Sequence, residues 1–308
     1  MEPFQLNLSN GGVVAGRHSI PPPSNLSPKY RPLIVALHGG TYDSRYFDAH
    51  PEYSASLPSA AYGIPFISID RPSYGDTSSI LPIIEDSDFF QETGNWLHRY
   101  ILPALWMEFG QPNQCSSLVI LAHSLGVIGG VIAAALRAED DKQLYPLAGL
   151  IASGMGNTQA VSARSTPLPH IKVDEEHMLL PPEIKDAIMF KPNTTTPAIL
   201  DLCANLNAIS PTAEITRFAD LWLPVWKEWA ARVSVPVMFA LVDGDPYFIT
   251  NEDELDVCVR AFKNSARVDG SLVKGAPHCM ELSHWTQGWY ARCFGFAMEC
   301  SASLGSSV

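Results

Sequence analysis

Four consecutive aliphatic residues, Leu118-Val119-Ile120-Leu121, run into Ala122-His123-Ser124-Leu125-Gly126, and apolar and small residues then resume at helical spacing through Val127-Ile128-Gly129-Gly130. A strand that is apolar at every position is buried on both faces, which calls for a mostly parallel sheet with helices on each side. Ser124 falls at the tight turn between strand and helix, and the small residues at 126, 129 and 130 let that helix lie close to the sheet. The turn pushes the hydroxyl out of the carboxyl end of the sheet, as a nucleophile elbow does. A small-x-Ser-x-Gly pattern should arise by chance about 0.3 times in a chain of this length, given average residue usage. A second match, Ser301-Ala302-Ser303-Leu304-Gly305, lies in a polar tail with no strand before it. Context separates the two. Ala122 stands where glycine is commonest in such turns, and a methyl group is about the largest addition the turn should accept.

The rest of the chain alternates in the way that strand requires. Residues 4–20 read as a hairpin turning at Asn10-Gly11-Gly12, followed by a proline-rich connection to Pro32. Short apolar runs at 33–37, 64–69, 118–121, 147–152 and 235–242 are strands, and the segments 44–62, 86–109 and 124–138 between the first four are helix-like. The expected fold class is therefore α/β, with a mostly parallel central sheet flanked by helices. Between residues 151 and 235 the alternation lapses into a segment rich in proline, from Pro167 to Pro224, with helical patches at 196–206 and 212–232. It reads as a helical cap inserted after strand 6, over residues 156–232, with 1–155 and 233–308 forming the core. Such an insertion would sit over the carboxyl ends of the strands, where open α/β sheets place their ligands. A helix at 252–262, a strand at 267–273 and a last helix at 281–299 complete the chain.

Of the 308 residues, 46% are hydrophobic and 17% charged, enough to bury a sizeable core and against disorder. The net charge of −12, with no Lys/Arg cluster to offset it, excludes a nucleic-acid partner. No apolar run reaches the roughly 18 residues of a spanning helix, so no membrane span is expected. Six cysteines show no CxxC pair or zinc spacing, and Met1-Glu2-Pro3-Phe4 is not a charged and then apolar leader. Together these point to a reducing, cytoplasmic setting. Sequons at Asn7, Asn25 and Asn193 would suit a secreted protein, but such triplets are frequent by chance. No His-Glu-x-x-His helix or His/Cys cluster is present, so no metal is expected.

A serine hydroxyl is a weak nucleophile at neutral pH and needs a base, itself oriented by a third group. Downstream of Ser124, the strand at 235–242 ends in Asp243-Gly244-Asp245-Pro246, and the next strand ends in Gly275-Ala276-Pro277-His278. Both ends fall on the same rim of the sheet as Ser124. In this order of serine, acid and histidine, the chain from about residue 30 resembles the α/β-hydrolase superfamily. Leu37-His38-Gly39-Gly40-Thr41 matches its His-Gly-x loop, and Asp70-Arg71-Pro72-Ser73-Tyr74-Gly75-Asp76-Thr77-Ser78 is similar to its Asp-Arg-Pro-Gly-x-Gly-x-Ser turn, with Ser73 in place of a glycine.

The resemblance implies a serine hydrolase without a cofactor, acting on a small-molecule carboxylic ester, lactone or thioester. Ser124 is its expected nucleophile, His278 the base and Asp245, followed by proline, the acid. The backbone N–H groups of Gly40 and Leu125 are expected to hold the oxyanion, with Thr41 as second choice in its loop and a candidate substrate contact. Asp243 is the rival acid, or a turn residue. His284, within the last helix, is the rival base. His38 and His123 read as hydrogen-bonding supports of their loops, with His123 also a candidate substrate contact. Trp222, Trp226 and Trp229 pack an amphipathic helix on the body or line the cavity; Trp222 and Trp226 are the candidate contacts. An aromatic cap points to a moderately sized apolar substrate, polyketide-like metabolites among them. The same triad also serves carbon-carbon hydrolysis and lyase reactions, and the fold alone serves ligand binding with little turnover.

Overall fold

The computed structural model describes residues 1–23, 28–165 and 169–306; the sequon at Asn25 and Pro167 lie outside the described residues. Eleven strands are described, in chain order β1 (Glu2–Asn7), β2 (Val13–Ser19), β3 (Pro32–Leu37), β4 (Phe66–Ile69), β5 (Ser117–His123), β6 (Leu147–Ser153), β7 (Ile171–Lys172), β8 (His177–Leu179), β9 (Ser210–Pro211), β10 (Val237–Val242) and β11 (Val268–Val273). Eight of them form one sheet in the order β1-β2-β4-β3-β5-β6-β10-β11. β1 and β2 are the antiparallel hairpin, β2 runs antiparallel to β4, and every pair from β4 to β11 is parallel.

The apolar runs are explained by burial on both faces. Along β3, Leu33, Val35 and Leu37 enter one core while Ile34 and Ala36 enter the other, and β5 divides Leu118 and Ile120 from Val119 and Leu121 in the same way. This is the period-2 alternation of a strand whose two faces are both covered. The first core holds the helices Phe89–Trp96 and Gly126–Glu139, and the second holds the C-terminal helix Thr286–Ser306. The helical stretch from Phe89 to Gly110 widens into a π-turn at Leu97–Ile101, just before Pro103. Proline has no N–H for an i→i−4 bond and its ring crowds the turn before it, which disturbs the regular ladder there.

Several expected boundaries move; the patch at 196–206 is helical only over Pro197–Leu202, and that at 212–232 is two helices, Thr212–Leu221 and Trp226–Arg232. The segment 44–62 is not one helix but two 3₁₀ turns, Ser44–Asp48 and Pro51–Tyr53, followed by Ser56–Tyr62. Pro51 and the capping side chains of Asp43 and His50 start new turns there. The last helix begins at Thr286, not at 281, because the Ser283 hydroxyl accepts from Trp285 N–H and the His284 N–H donates to the Thr194 carbonyl. His284 is thus an exposed turn residue outside the helix.

Between β6 and β10 the chain adds a small antiparallel sheet, β7-β8-β9, and short helices that include Pro182–Met189, Pro197–Leu202, Thr212–Leu221 and Trp226–Arg232. The small sheet had no signal in the sequence, its strands being only two or three residues long. The final helix of this segment packs on Gly126–Glu139, placing Trp226 and Ala230 in the first core. All six cysteines are free. Among the described residues, no helix is long and apolar enough to cross a membrane.

Candidate active site

Ser124 sits at φ +52°, in the left-handed region, between the end of β5 and the helix that follows. Its N–H donates to the Ser153 carbonyl at 2.7 Å and its carbonyl accepts from Val127 at 2.9 Å, so the strained turn is held from both sides. A Cβ at Gly126 would stand 2.5 Å from the His38 carbonyl oxygen and 2.6 Å from that of Leu37. Only glycine lets the helix start this close to β3. The Ala122 methyl is accommodated because Gly130 faces it: a Cβ added there would come within 3.3 Å of the Ala122 Cβ.

The ends of β10 and β11 bring two more side chains to Ser124. His278 Nε2 is 3.0 Å from Ser124 Oγ, and His278 Nδ1 is 2.7 Å from Asp245 Oδ2. A carboxylate only accepts, so Nδ1 carries the imidazole proton and Nε2 is left to accept from the serine hydroxyl. The other carboxylate oxygen, Asp245 Oδ1, accepts from the N–H groups of Tyr247 at 2.8 Å and Phe248 at 3.3 Å, which fixes the plane of the carboxylate. Both His278 and Asp245 are buried. Asp243 serves another purpose. Its Oδ1 accepts from Gly275 N–H at 2.7 Å and from Lys191 at 3.1 Å, tying the two loops together. Partial burial raises its pKa, but the bonds from Gly275 and Lys191 outweigh that and leave it lowered.

The loop after β3 passes beside the serine. Gly39 has no room for a side chain, since a Cβ would stand 2.9 Å from that of Ser124. Gly40, Thr41, Ser124 and Leu125 line one end of a cavity whose remaining walls are Met155, Leu180, Met189, Ile215, Phe218, Tyr247 and Phe248. About 60 Å³ of it is open to the centre of a water-sized sphere. Among the described residues, the N–H groups of Gly40 and Leu125 donate to no protein acceptor. They are free amides at the serine's end of an otherwise apolar cavity. A second cavity, about 460 Å³ by the same measure, shares the walls Ile215, Phe218 and Tyr247.

His38 supports its loop: its Nε2 accepts from Arg71 N–H at 3.1 Å, which leaves Nδ1 to donate to the Gly39 carbonyl at 2.7 Å. Burial, reinforced by the charge of Arg71, holds it well below the usual histidine pKa. In the turn that follows β4, Ser73 adopts φ +67° where the related pattern has glycine, and its hydroxyl accepts from Ile80 N–H at 3.0 Å. That local bond helps hold a left-handed serine.

Three expected substrate contacts lie elsewhere. His123 is buried behind the site, stacked on Tyr46 and bonded through Nδ1 to Ser153 Oγ at 3.1 Å, and is not among the cavity walls. Trp222 and Trp226 are 2% and 5% exposed and belong to the first core; the Trp226 indole N–H donates to Asn157. Trp229 is half-buried, with the Arg232 guanidinium over its ring. The rings at the cavity are instead Phe218, Tyr247 and Phe248. Tyr247 and Phe248, two and three residues past Asp245, share its rim, and that proximity was the one signal for them.

Two buried charges had no signal at all. Glu214 accepts from both terminal nitrogens of Arg71, with 3.0 Å for the Nη2 bond, and from the Tyr74 hydroxyl. Lys185 donates to the carbonyls of Thr41 at 2.8 Å and Leu206 at 3.1 Å. Burial pushes its ammonium down to about 8. Among the described residues, no group of three or more His, Cys, Asp or Glu side chains could hold a metal.

Comparison with known proteins agrees with this architecture. No curated protein matches the sequence. In structure the chain is similar to a soluble variant of monoglyceride lipase from Saccharomyces cerevisiae, with 14% identity, TM-score 0.64, and 97% of this chain and 96% of that one covered. It is also similar to the thioesterase domain from the curacin biosynthetic pathway, with 15% identity, TM-score 0.57 and coverage of 97% and 99%. A third similar structure is a proline iminopeptidase from Mycobacterium smegmatis, with 12% identity, TM-score 0.61 and coverage of 98% and 99%. Identities this low, across such different titles, speak for a shared fold. The sequence itself matches the model of the Alpha/beta hydrolase family over residues 34–291, most of its length, and the chain belongs to that family.

Proposed function

We propose that this protein is a serine hydrolase that cleaves the carboxylic ester, lactone or thioester of a moderately sized apolar small molecule, with no cofactor. The observation that carries the reading is the continuous relay from Ser124 Oγ through His278 to Asp245 Oδ2 at one end of a mostly apolar cavity. Ser124 attacks the substrate carbonyl while His278 Nε2 takes its proton, and Asp245 stabilises the imidazolium that forms. The negative oxygen of the tetrahedral intermediate is met by the free N–H groups of Gly40 and Leu125. The Leu125 amide also stands at the start of a helix, where the dipole favours negative charge. His278 then returns the proton to the leaving group, and a water repeats the sequence on the acyl-enzyme.

The walls narrow the substrate. Met155, Leu180, Met189, Ile215 and Phe218 offer few polar partners, so recognition rests on apolar area. The inner space is small, and the larger cavity beyond Ile215, Phe218 and Tyr247 gives room for a longer second part, such as a polyketide-like chain. In this reading the segment 156–232 is a cap. Leu180, Met189, Ile215 and Phe218 come from it. The test pairs fluorophosphonate labelling with turnover of p-nitrophenyl esters of increasing acyl length. Ser124→Ala should lose labelling and turnover while unfolding at the parent's temperature. Wild-type turnover in that variant, or labelling at Ser303, would defeat the assignment.

A further inference from the structure

Thr41 holds φ +65°, the left-handed region, which is a genuine outlier for a β-branched residue. Such a conformation is costly and persists only where the surroundings over-determine it. The restraint comes from the segment between β6 and β10. The Thr41 carbonyl accepts from Lys185 Nζ at 2.8 Å and from Ala208 N–H at 2.9 Å. Lys185, on the helix Pro182–Met189, is completely buried. It makes no ion pair among the described residues; the carbonyls of Thr41 and Leu206 and the Tyr42 ring, 3.6 Å from Nζ to its centroid, are what replace its water. A buried cation without a carboxylate is costly to keep, so a purely space-filling role is poorly served by lysine.

We propose that Lys185 is a positioning residue for the oxyanion-binding loop, an inference that rests on the hydrolase reading above. Rotation about the N–Cα bond of Thr41 swings the peptide that joins it to Gly40, and with it the aim of the amides in this loop. By clamping the carbonyl on the far side of Thr41, Lys185 and Ala208 hold the frame against which that rotation is set. Without the ammonium, Thr41 relaxes toward negative φ and the Gly40 amide turns away from the developing charge. The segment over the site thereby has a second task besides shaping the cavity: it completes the catalytic geometry of the loop beneath it.

The test compares Lys185→Met and Lys185→Gln with Ile199→Ala, a buried apolar truncation in the same segment that leaves both hydrogen bonds to the Thr41 carbonyl in place. Removing one oxyanion donor outright costs about 10²–10³ in kcat. Misaiming one should cost less, so Lys185→Met is expected to lower kcat about 10- to 100-fold with KM nearly unchanged. The inhibition constant of a trifluoromethyl ketone, whose adduct carries the same oxyanion, should rise by the same factor. Lys185→Gln, a neutral donor, should fall between Lys185→Met and the parent, and it decides the matter if the methionine variant does not fold. Ile199→Ala should unfold at a lower temperature and keep its kcat and ketone affinity. The proposal is overturned if the Lys185 variants keep kcat within about threefold. It is equally overturned if ketone affinity stays at the parent's level, or if Ile199→Ala shows the same pattern at an equal loss of melting temperature. A parent that turns over no ester, lactone or thioester overturns the hydrolase reading and this inference together, whereas failure of the variants alone overturns only the second.

Discussion

Replacing Glu214 by leucine should destabilise the protein strongly, because it leaves a buried cation without its partner. Glu214 and Arg71 are each 1% exposed and meet through two charge-assisted bonds, with the Tyr74 hydroxyl donating to the same carboxylate. Arg71 Nε already lacks a partner, so the carboxylate supplies every side-chain bond the guanidinium makes among the described residues. Glu214→Leu would leave a cation buried and unpaired, which costs about 3–5 kcal/mol. At about 2.1 cal/mol/K of unfolding entropy per residue, the 308 residues give about 0.65 kcal/mol/K. The melting temperature should therefore drop by about 5–8 °C. Removing both charges is a different perturbation, because no unpaired ion remains. Arg71→Met/Glu214→Leu should recover most of the loss. The assay is calorimetry on the parent, both single variants and the double variant, completing a cycle at one ionic strength. A single variant within about 1 °C of the parent would mean that the pair is effectively solvated, and a double variant no better than Glu214→Leu would refute the desolvation argument. The same cycle bears on function. Ile215 and Phe218 follow Glu214 on one helix and form the wall between the two cavities, so losing the anchor should also broaden the preference for acyl length.

Asp245→Asn should lower kcat by about 10⁴, the loss seen when an amide replaces the acid of a well-studied triad, while Asp243→Asn loses only a loop tie and keeps most activity; steady-state kinetics on both decides, and the reverse order would refute the assignment. Trp222→Ala and Trp226→Ala should each cost about 3–5 kcal/mol of stability and leave the ranking of ester chain lengths unchanged. Phe218→Ala, which opens one cavity to the other, should shift that ranking toward longer acyl groups; an unchanged ranking would show that the two spaces are not used together. Stability should also fall with acid. Burial, then the charge of Arg71, lowers the pKa of His38, and burial, then His278, lowers that of His123, so the unfolded chain takes up protons below pH 6.5 that the folded one refuses. Each histidine contributes a slope of about 1.4 kcal/mol per pH unit, and Glu281, raised by burial, works in the opposite sense. A melting temperature flat from pH 7 to 5 would refute this balance.

The sheet and the serine's turn were readable because their causes are local. Every position of β5 is buried, so its apolar run needs no knowledge of the partners, and Gly126 is demanded by carbonyls one strand away that any such turn would meet. The choice between Asp243 and Asp245 rested on a following proline. What separates them physically is long-range: Lys191 and Gly275 hold the first, and the Tyr247 and Phe248 amides turn the second toward His278. The small sheet β7-β8-β9 fails for the opposite reason. Two-residue strands carry no period, and tertiary contacts alone decide that they pair.

The tryptophans show where composition misleads. Three indoles in a segment expected over the site suggest an aromatic cavity, yet positions 222, 226 and 229 fall at i, i+4 and i+7, the spacing of a single packed face. Two of these rings are core in the structure, but turns at 222–225 part them: Trp222 caps the end of Thr212–Leu221, and the helix Trp226–Arg232 lies on Gly126–Glu139. The preceding helix, Thr212–Leu221, looks like a solvated one, with Glu214, Thr216, Arg217 and Asp220 along it. It is this helix that reaches the cavity, because Glu214 is buried against Arg71, 143 residues earlier in the chain. A charge with a distant buried partner can pin a helix where its own hydrophobicity would not, and no window of sequence contains both members of the pair. The segment between β6 and β10 is therefore anchored by polar groups, Glu214 to the turn after β4 and Lys185 to the loop after β3, while its apolar side chains are left free to line the cavity beside Ser124.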